Sequence, residues 1–175
     1  MDIYQALKKD HVVVRGLLND LVNLPEGDKE GKSQLINKIR DELIPHARAE
    51  ESVFYNSLRS LNLTKDIAME GYKEHMEAET LLRMLQLQDK TKMDWKNTAQ
   101  KLRQALEHHI AEEEGRMFEA AMNNFTEEEA QMFGEAFERL KPQIKEQTIV
   151  GTTLDMVANL MPPRFSELFR NGPNP

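Results

Sequence analysis

Apolar residues recur at spacings of three and four along almost the whole chain, while the strict alternation of half-buried strands is nearly absent. The pattern predicts a first helix from about Asp2 to Leu24, stopped by Pro25 and the Gly-containing loop after it. A second helix runs from about Lys29 to Leu61 and carries Pro45, whose missing N–H should kink it just before His46. A third spans about Thr64 to Gln88, and a fourth about Asp94 to Asn123. Thr126 and Glu129 have capping-box spacing, so a fifth helix should begin there. Beyond Pro142 the pattern weakens. Thr152 and Asp155 could cap a short helix to Leu160, Pro162-Pro163 breaks it, and Phe165 to Arg170 could add a turn or two.

Four long helices on short loops are most simply an all-α, up-down-up-down four-helix bundle over residues 1–124. Residues 125–175 are then a C-terminal helical extension. Its Met132, Phe133, Phe137 and Leu140 at helical spacing suggest packing on the bundle or on a second subunit, which would give a homodimer through the extension.

Polar residues interrupt the apolar stripes at corresponding places. The stripes read Ile3, Leu7, His11, Val14, Leu18 on the first helix and Leu35, Ile39, Leu43, His46, Glu50, Val53 on the second. They read Ala68, Tyr72, His75, Glu79, Leu82 on the third and Leu102, Leu106, His109, Glu113, Met117 on the fourth. A spacing of four puts His and Glu on one face, a turn apart, where both can reach one ion or two adjacent ions. Four imidazoles and three carboxylates aimed into an apolar core are strongly unfavourable unless paired, and no Lys or Arg shares those stripes. Metal cations are the remaining common answer. A lone inward His is more often a hydrogen-bonded core residue, and a lone His-x-x-x-Glu a surface pair. Four helices repeating the arrangement outweigh both readings. His108 lies about 100° around the helix from His109, in line with Lys101 and Glu112, so it belongs to a solvated face. The methionines are most simply core filler.

The chain also repeats. Lys9-Asp10-His11 followed by Leu17-Leu18 matches Lys73-Glu74-His75 followed by Leu81-Leu82. His46-x-x-x-Glu50-Glu51 matches His109-x-x-x-Glu113-Glu114. Two such helix hairpins would build a pseudo-twofold site.

Composition narrows the chemistry. The 175 residues carry a formal charge of −7, which argues against nucleic acid or a membrane surface as the main partner. There is no cysteine, which excludes thiolate metal sites, iron–sulfur clusters and disulfides. With neither a signal-peptide pattern nor an apolar span, a cytoplasmic location is expected. Imidazole and carboxylate without thiolate suit iron, manganese or zinc, and seven ligands are too many for one ion and right for two. Ferritin-like di-iron bundles use Glu-x-x-His, whereas the order here is His first with a spacing of four.

The segment from Leu43 to Tyr55 around His46 and Glu50-Glu51, the lone upstream His11 and the second His-x-x-x-Glu-Glu together resemble the hemerythrin and HHE cation-binding family, over about residues 1–124. The resemblance implies a non-haem centre of two iron ions with a bridging oxo or hydroxo group. His11 and His46 would serve one iron, and His75, Glu79 and His109 the other. Glu50 and Glu113 would bridge them, with Glu114 as the fallback bridge. Oxygen-carrying members have histidine where this chain has Glu79. A third ligating carboxylate would favour the ferric state, so oxygen is expected to oxidise the centre rather than be stored. The implied function is binding or sensing of a small diatomic ligand (oxygen or nitric oxide), peroxide or iron. The alternatives are a di-iron oxidase, peroxidase or nitric oxide reductase, an iron donor for iron–sulfur cluster repair, or a bundle whose metal, such as zinc, is only structural.

Overall fold

The computed structural model describes residues 1–87, 94–146 and 161–165, and its regular elements are all helical among the described residues. Helix α1 spans Ile3–Asn23 and is capped by the Asp2 carboxylate, which accepts from the Gln5 N–H at 2.8 Å. Helix α2 spans Lys29–Glu50, capped by Asp28 on the Gly31 N–H. It continues through a π-helical turn, Glu51–Tyr55, into Asn56–Arg59. Pro45 lies inside α2, which runs on to Glu50 without ending. Helix α3 spans Lys65–Leu87. Helix α4 spans Trp95–Glu112, capped by Asp94, and likewise passes through a π-helical turn, Glu113–Met117, into Phe118–Met122. Helix α5 spans Glu127–Glu146. Its capping box forms in both directions: the Glu129 carboxylate accepts from the Thr126 N–H at 2.9 Å, and the Thr126 hydroxyl accepts from the Glu129 N–H at 3.2 Å.

Helices α1 to α4 close a ring in which each packs on its neighbours in the chain and α4 returns to α1. Helix α5 lies across α1 and α2. Two apolar clusters fill the interior. One gathers Ile3 and Leu7 from the start of α1, Val53, Phe54 and Leu58 from the end of the second helical stretch, Ala68 from the start of α3, and Met117 and Phe118 from the end of the fourth. The other gathers the complementary ends: Val14 to Leu21, Ile36 to Leu43, Ala78 to Leu85, and Ala99 to Leu106. Each successive helix thus starts in the cluster where its predecessor ended. Between the clusters lies a polar layer: His11, His46, Glu50, His75, His109 and Glu113, all buried.

The apolar face of α5 joins the first cluster through Phe133, Phe137 and Leu140, all fully buried within the chain. Of the residues expected to seek the bundle or a second subunit, these three are covered by their own bundle, and Met132 is half-buried. Phe165 packs edge-on to Phe125, with ring centroids 5.5 Å apart. The expected helix from Thr152 to Leu160, and Phe165–Arg170 beyond its first residue, lie outside the described residues. No helix among the described residues is long and apolar enough to cross a membrane.

Candidate metal centre

Burying an apolar side chain contributes roughly 1.5–3 kcal/mol, whereas an unpaired buried carboxylate costs several kcal/mol. Glu50 and Glu113 are fully buried, and none of their four carboxylate oxygens has a hydrogen-bond partner. What faces them is the Nε2 edge of four imidazoles. Glu50 Oε2 lies 3.4 Å from His46 Nε2 and 3.3 Å from His75 Nε2. Glu113 Oε2 lies 3.2 Å from His11 Nε2 and 3.7 Å from His109 Nε2. The rings pair as His11 with His46, centroids 5.3 Å apart, and His75 with His109, centroids 4.7 Å apart. Each glutamate therefore touches one histidine of each pair. Two sets have donor atoms close enough to share a cation: His11, His109 and Glu113, and Glu50, His75 and His109. His75 Nε2 and His109 Nε2 lie 3.2 Å apart, and His11 Nε2 has no hydrogen-bond partner. Orphaned carboxylate oxygens facing imidazole nitrogens are a donor set that suits divalent metal ions.

Every one of the four histidines has its outer nitrogen, Nδ1, taken by a carboxylate. His11 meets Glu114 at 2.8 Å, His46 meets Asp10 at 3.0 Å, His75 meets Glu51 at 3.0 Å and His109 meets Glu74 at 2.9 Å. A carboxylate on Nδ1 fixes the tautomer that leaves Nε2 free to bind metal, the usual surroundings of a metal-binding histidine. The four follow the internal repeat. The acid before the first His of each hairpin holds the second His of the same hairpin. The acid after each buried Glu crosses to the first His of the other hairpin. His75 is thereby gripped by consecutive residues, Glu50 on Nε2 and Glu51 on Nδ1, and His11 likewise by Glu113 and Glu114. Both Glu-Glu pairs stand where the α-helix widens into its π turn, a feature frequent at functional sites.

Burial pushes the Glu113 carboxyl well up, and the Glu50 charge beside it adds to the shift. Burial opposes ionisation of Glu50 too, but the neighbouring Glu113, His46 and His75 hold it well below its usual range. Burial lowers His11 to about 4, with repulsion from His46 adding to it. His75 goes the other way: burial alone would lower it, yet Glu50 and Glu51 raise it to about 9. The shifts thus favour a proton on His75 and the neutral form of Glu113 beside an ionised Glu50.

Glu79 is the one predicted ligand that stands apart. Its carboxylate pairs with the Arg48 guanidinium from α2 and faces Arg83 at 4.0 Å. The cation lacking on its own stripe comes from the neighbouring helix. His46, like Glu79, is in neither candidate set, but its Nε2 faces the buried Glu50 carboxylate at 3.4 Å. Glu114 stands on the outer nitrogen of His11 rather than between the histidine pairs. His108 has a 68% exposed side chain, as its place on the helix implies. Tyr55 was not foreseen in the site. Its buried ring stacks on His75 with centroids 5.1 Å apart, and its hydroxyl lies 3.5 Å from His75 Nε2.

Comparison with known proteins agrees with this centre. The chain is similar to a DNA nickase of Nostoc sp., with 26% identity over 147 residues, 84% of this chain. It spans 41% of that protein's length. No solved structure matches. A family model described as the Hemerythrin HHE cation binding domain matches residues 2–121, the stretch that carries all four histidines and both buried glutamates. The chain belongs to the hemerythrin HHE cation-binding family.

Proposed function

We propose that the chain holds two iron ions between its histidine pairs and binds or senses a small ligand there: oxygen, nitric oxide, peroxide or iron itself. The observation that carries this reading is the placement of Glu50 and Glu113 between the histidine pairs, each facing one imidazole of each pair. His11 and His46 would hold one ion, His75 and His109 the other, and the two glutamates would span them. Two ferrous ions would supply the electrons and the open coordination positions that such a ligand uses. The chain's own residues do the rest. The four outer carboxylates aim the imidazoles, and the apolar clusters above and below keep bulk water from the layer. Glu79 pairs with Arg48, so it would reach the centre as a third, ferric-favouring carboxylate only by exchanging that partner for an ion.

Metal analysis of anaerobically purified protein, followed by optical spectra before and after oxygen and nitric oxide, tests the reading. Two irons and a new ligand-dependent band are expected. Zinc alone, or a spectrum indifferent to both gases, would leave a structural metal. Many turnovers with a reductant, rather than one binding event, would make the protein an oxidase, a peroxidase or a nitric oxide reductase.

The similarity to a DNA nickase favours one further reading, strand nicking at the same centre, because a metal pair can stabilise both oxygens of a phosphodiester displacement. A charge of −7 and a span of two fifths of that protein weigh against it. Supercoiled plasmid incubated with the iron-loaded chain separates the two. Nicked circles beyond those made by free iron would favour the nickase.

A further inference from the structure

The similarity to the Nostoc protein covers 147 residues, too many to fit within the first 121, so it necessarily runs through α5. That helix does more than cover apolar surface. Phe137 sets its ring edge-on to His46, with centroids 5.5 Å apart. One turn later the Lys141 ammonium donates to Asp10 Oδ2 at 2.5 Å, 5.3 Å above the Phe137 ring centroid. This is the same oxygen that accepts the His46 Nδ1 proton at 3.0 Å. Lysine and aspartate side chains are only 17% and 10% exposed, so solvent screens the contact little. The other three histidine-holding carboxylates have cations that are farther off or more open to solvent. Arg15 stands 3.8 Å from Glu114 and His108 3.5 Å from Glu74, while Arg48, 42% exposed, pairs at 2.9 Å with the other oxygen of Glu51.

We infer that Lys141 is a positioning and tuning residue of the metal centre, acting through Asp10 on His46 and making that histidine the weakest electron donor of the four. A carboxylate that takes an imidazole N–H strengthens the imidazole's opposite nitrogen as a metal ligand. A lysine on the same oxygen draws that carboxylate's charge away. His46 then donates less, and the ion it holds favours the lower oxidation state. The two metal positions become unequal although the ligand sets repeat. This inference rests on the metal-centre reading above.

Reductive titration of the iron-loaded full chain tests it, comparing wild type with Lys141→Met, Lys141→Gln and Lys141→Arg. Removing the charge should raise the ferric-over-ferrous preference roughly tenfold, a fall of about 59 mV per electron. Lys141→Arg should restore most of the wild-type potential, which a purely packing role would not require. Lys141→Gln is one atom shorter but keeps a donor without the charge, and it decides the matter if the methionine variant does not fold. In an Asp10→Asn background the Lys141 substitutions should have no further effect. An unchanged potential in a charge-free variant that still binds two irons would overturn the role of Lys141 and leave the metal centre standing. A wild-type protein that takes up no iron would overturn both.

Discussion

Glu113 and Glu79 each follow a buried histidine by four residues, yet their surroundings give them opposite fates. Glu113 has no cation within reach and is pushed to keep its proton. Glu79 has Arg48. Glu113→Gln should therefore abolish the two-metal state, leaving one metal or none. It should change the stability of the metal-free protein little, because burial already favours the neutral carboxyl that the amide resembles. Glu79→Ala should keep both metals and cost at most about 1 kcal/mol, since Arg48 is partly in solvent. Metal content and urea midpoints of the two variants check this; loss of metal in Glu79→Ala would restore Glu79 to the ligand set. The four histidines and two buried glutamates could be found from sequence because each sits within an apolar stripe. The partner of Glu79 could not, since stripes do not say which side chain of the next helix arrives opposite. Asp10, Glu51, Glu74 and Glu114 were visible as the acidic neighbours in the repeat. Adjacent residues on an α-helix diverge by about 100°, however, which places them off the metal face until the packed helices are seen.

The helices themselves follow the period of the sequence closely, and the capping box that announced α5 forms as expected. The two π turns could not be read in advance. They use ordinary helical residues, and only the extra residue per turn distinguishes them. Nor did the stripe on α5 reveal what it would cover. A close backbone approach settles that question at Gly134. A Cβ built there would stand 2.4 Å from the Met1 carbonyl oxygen and 2.7 Å from the Asp2 carbonyl carbon. Replacing glycine by alanine inside a helix gains about 1 kcal/mol by propensity alone. Overpacking against backbone costs about 1–3 kcal/mol, and backbone cannot rotate aside as a side chain can. The clash should win. Gly134→Ala is expected to destabilise the protein, whereas Gly16→Ala, with nothing within 4 Å of its Cβ, should stabilise it by up to about 1 kcal/mol. Urea unfolding of both variants is the check, and a stabilised Gly134→Ala protein would mean that α5 does not sit against the start of α1.

At the scale of the whole molecule, the polar layer splits one core into two, so an ion held there would add to the stability of the bundle. Metal that binds only the folded chain stabilises it by about 2.7 kcal/mol per site at a hundredfold excess over the dissociation constant. Chelation should remove that contribution, and its size should depend on pH in a definite sense. His75, raised to about 9 in the folded metal-free chain, contributes stability that is complete below its unfolded value near 6.5 and is lost as pH rises through 9. Metal ions require that same nitrogen without its proton, and Glu113 must give up its proton as well. Raising the pH from 6 to 9 therefore weakens the metal-free fold while favouring metal uptake, and the gap between loaded and chelated melting temperatures should widen. Calorimetric titration near pH 7, in buffers of different ionisation enthalpy, should register protons released as the centre fills, that of His75 among them. A gap that narrows with rising pH, or uptake that releases no protons, would mean that the metal binds elsewhere than among His75, Glu50 and Glu113.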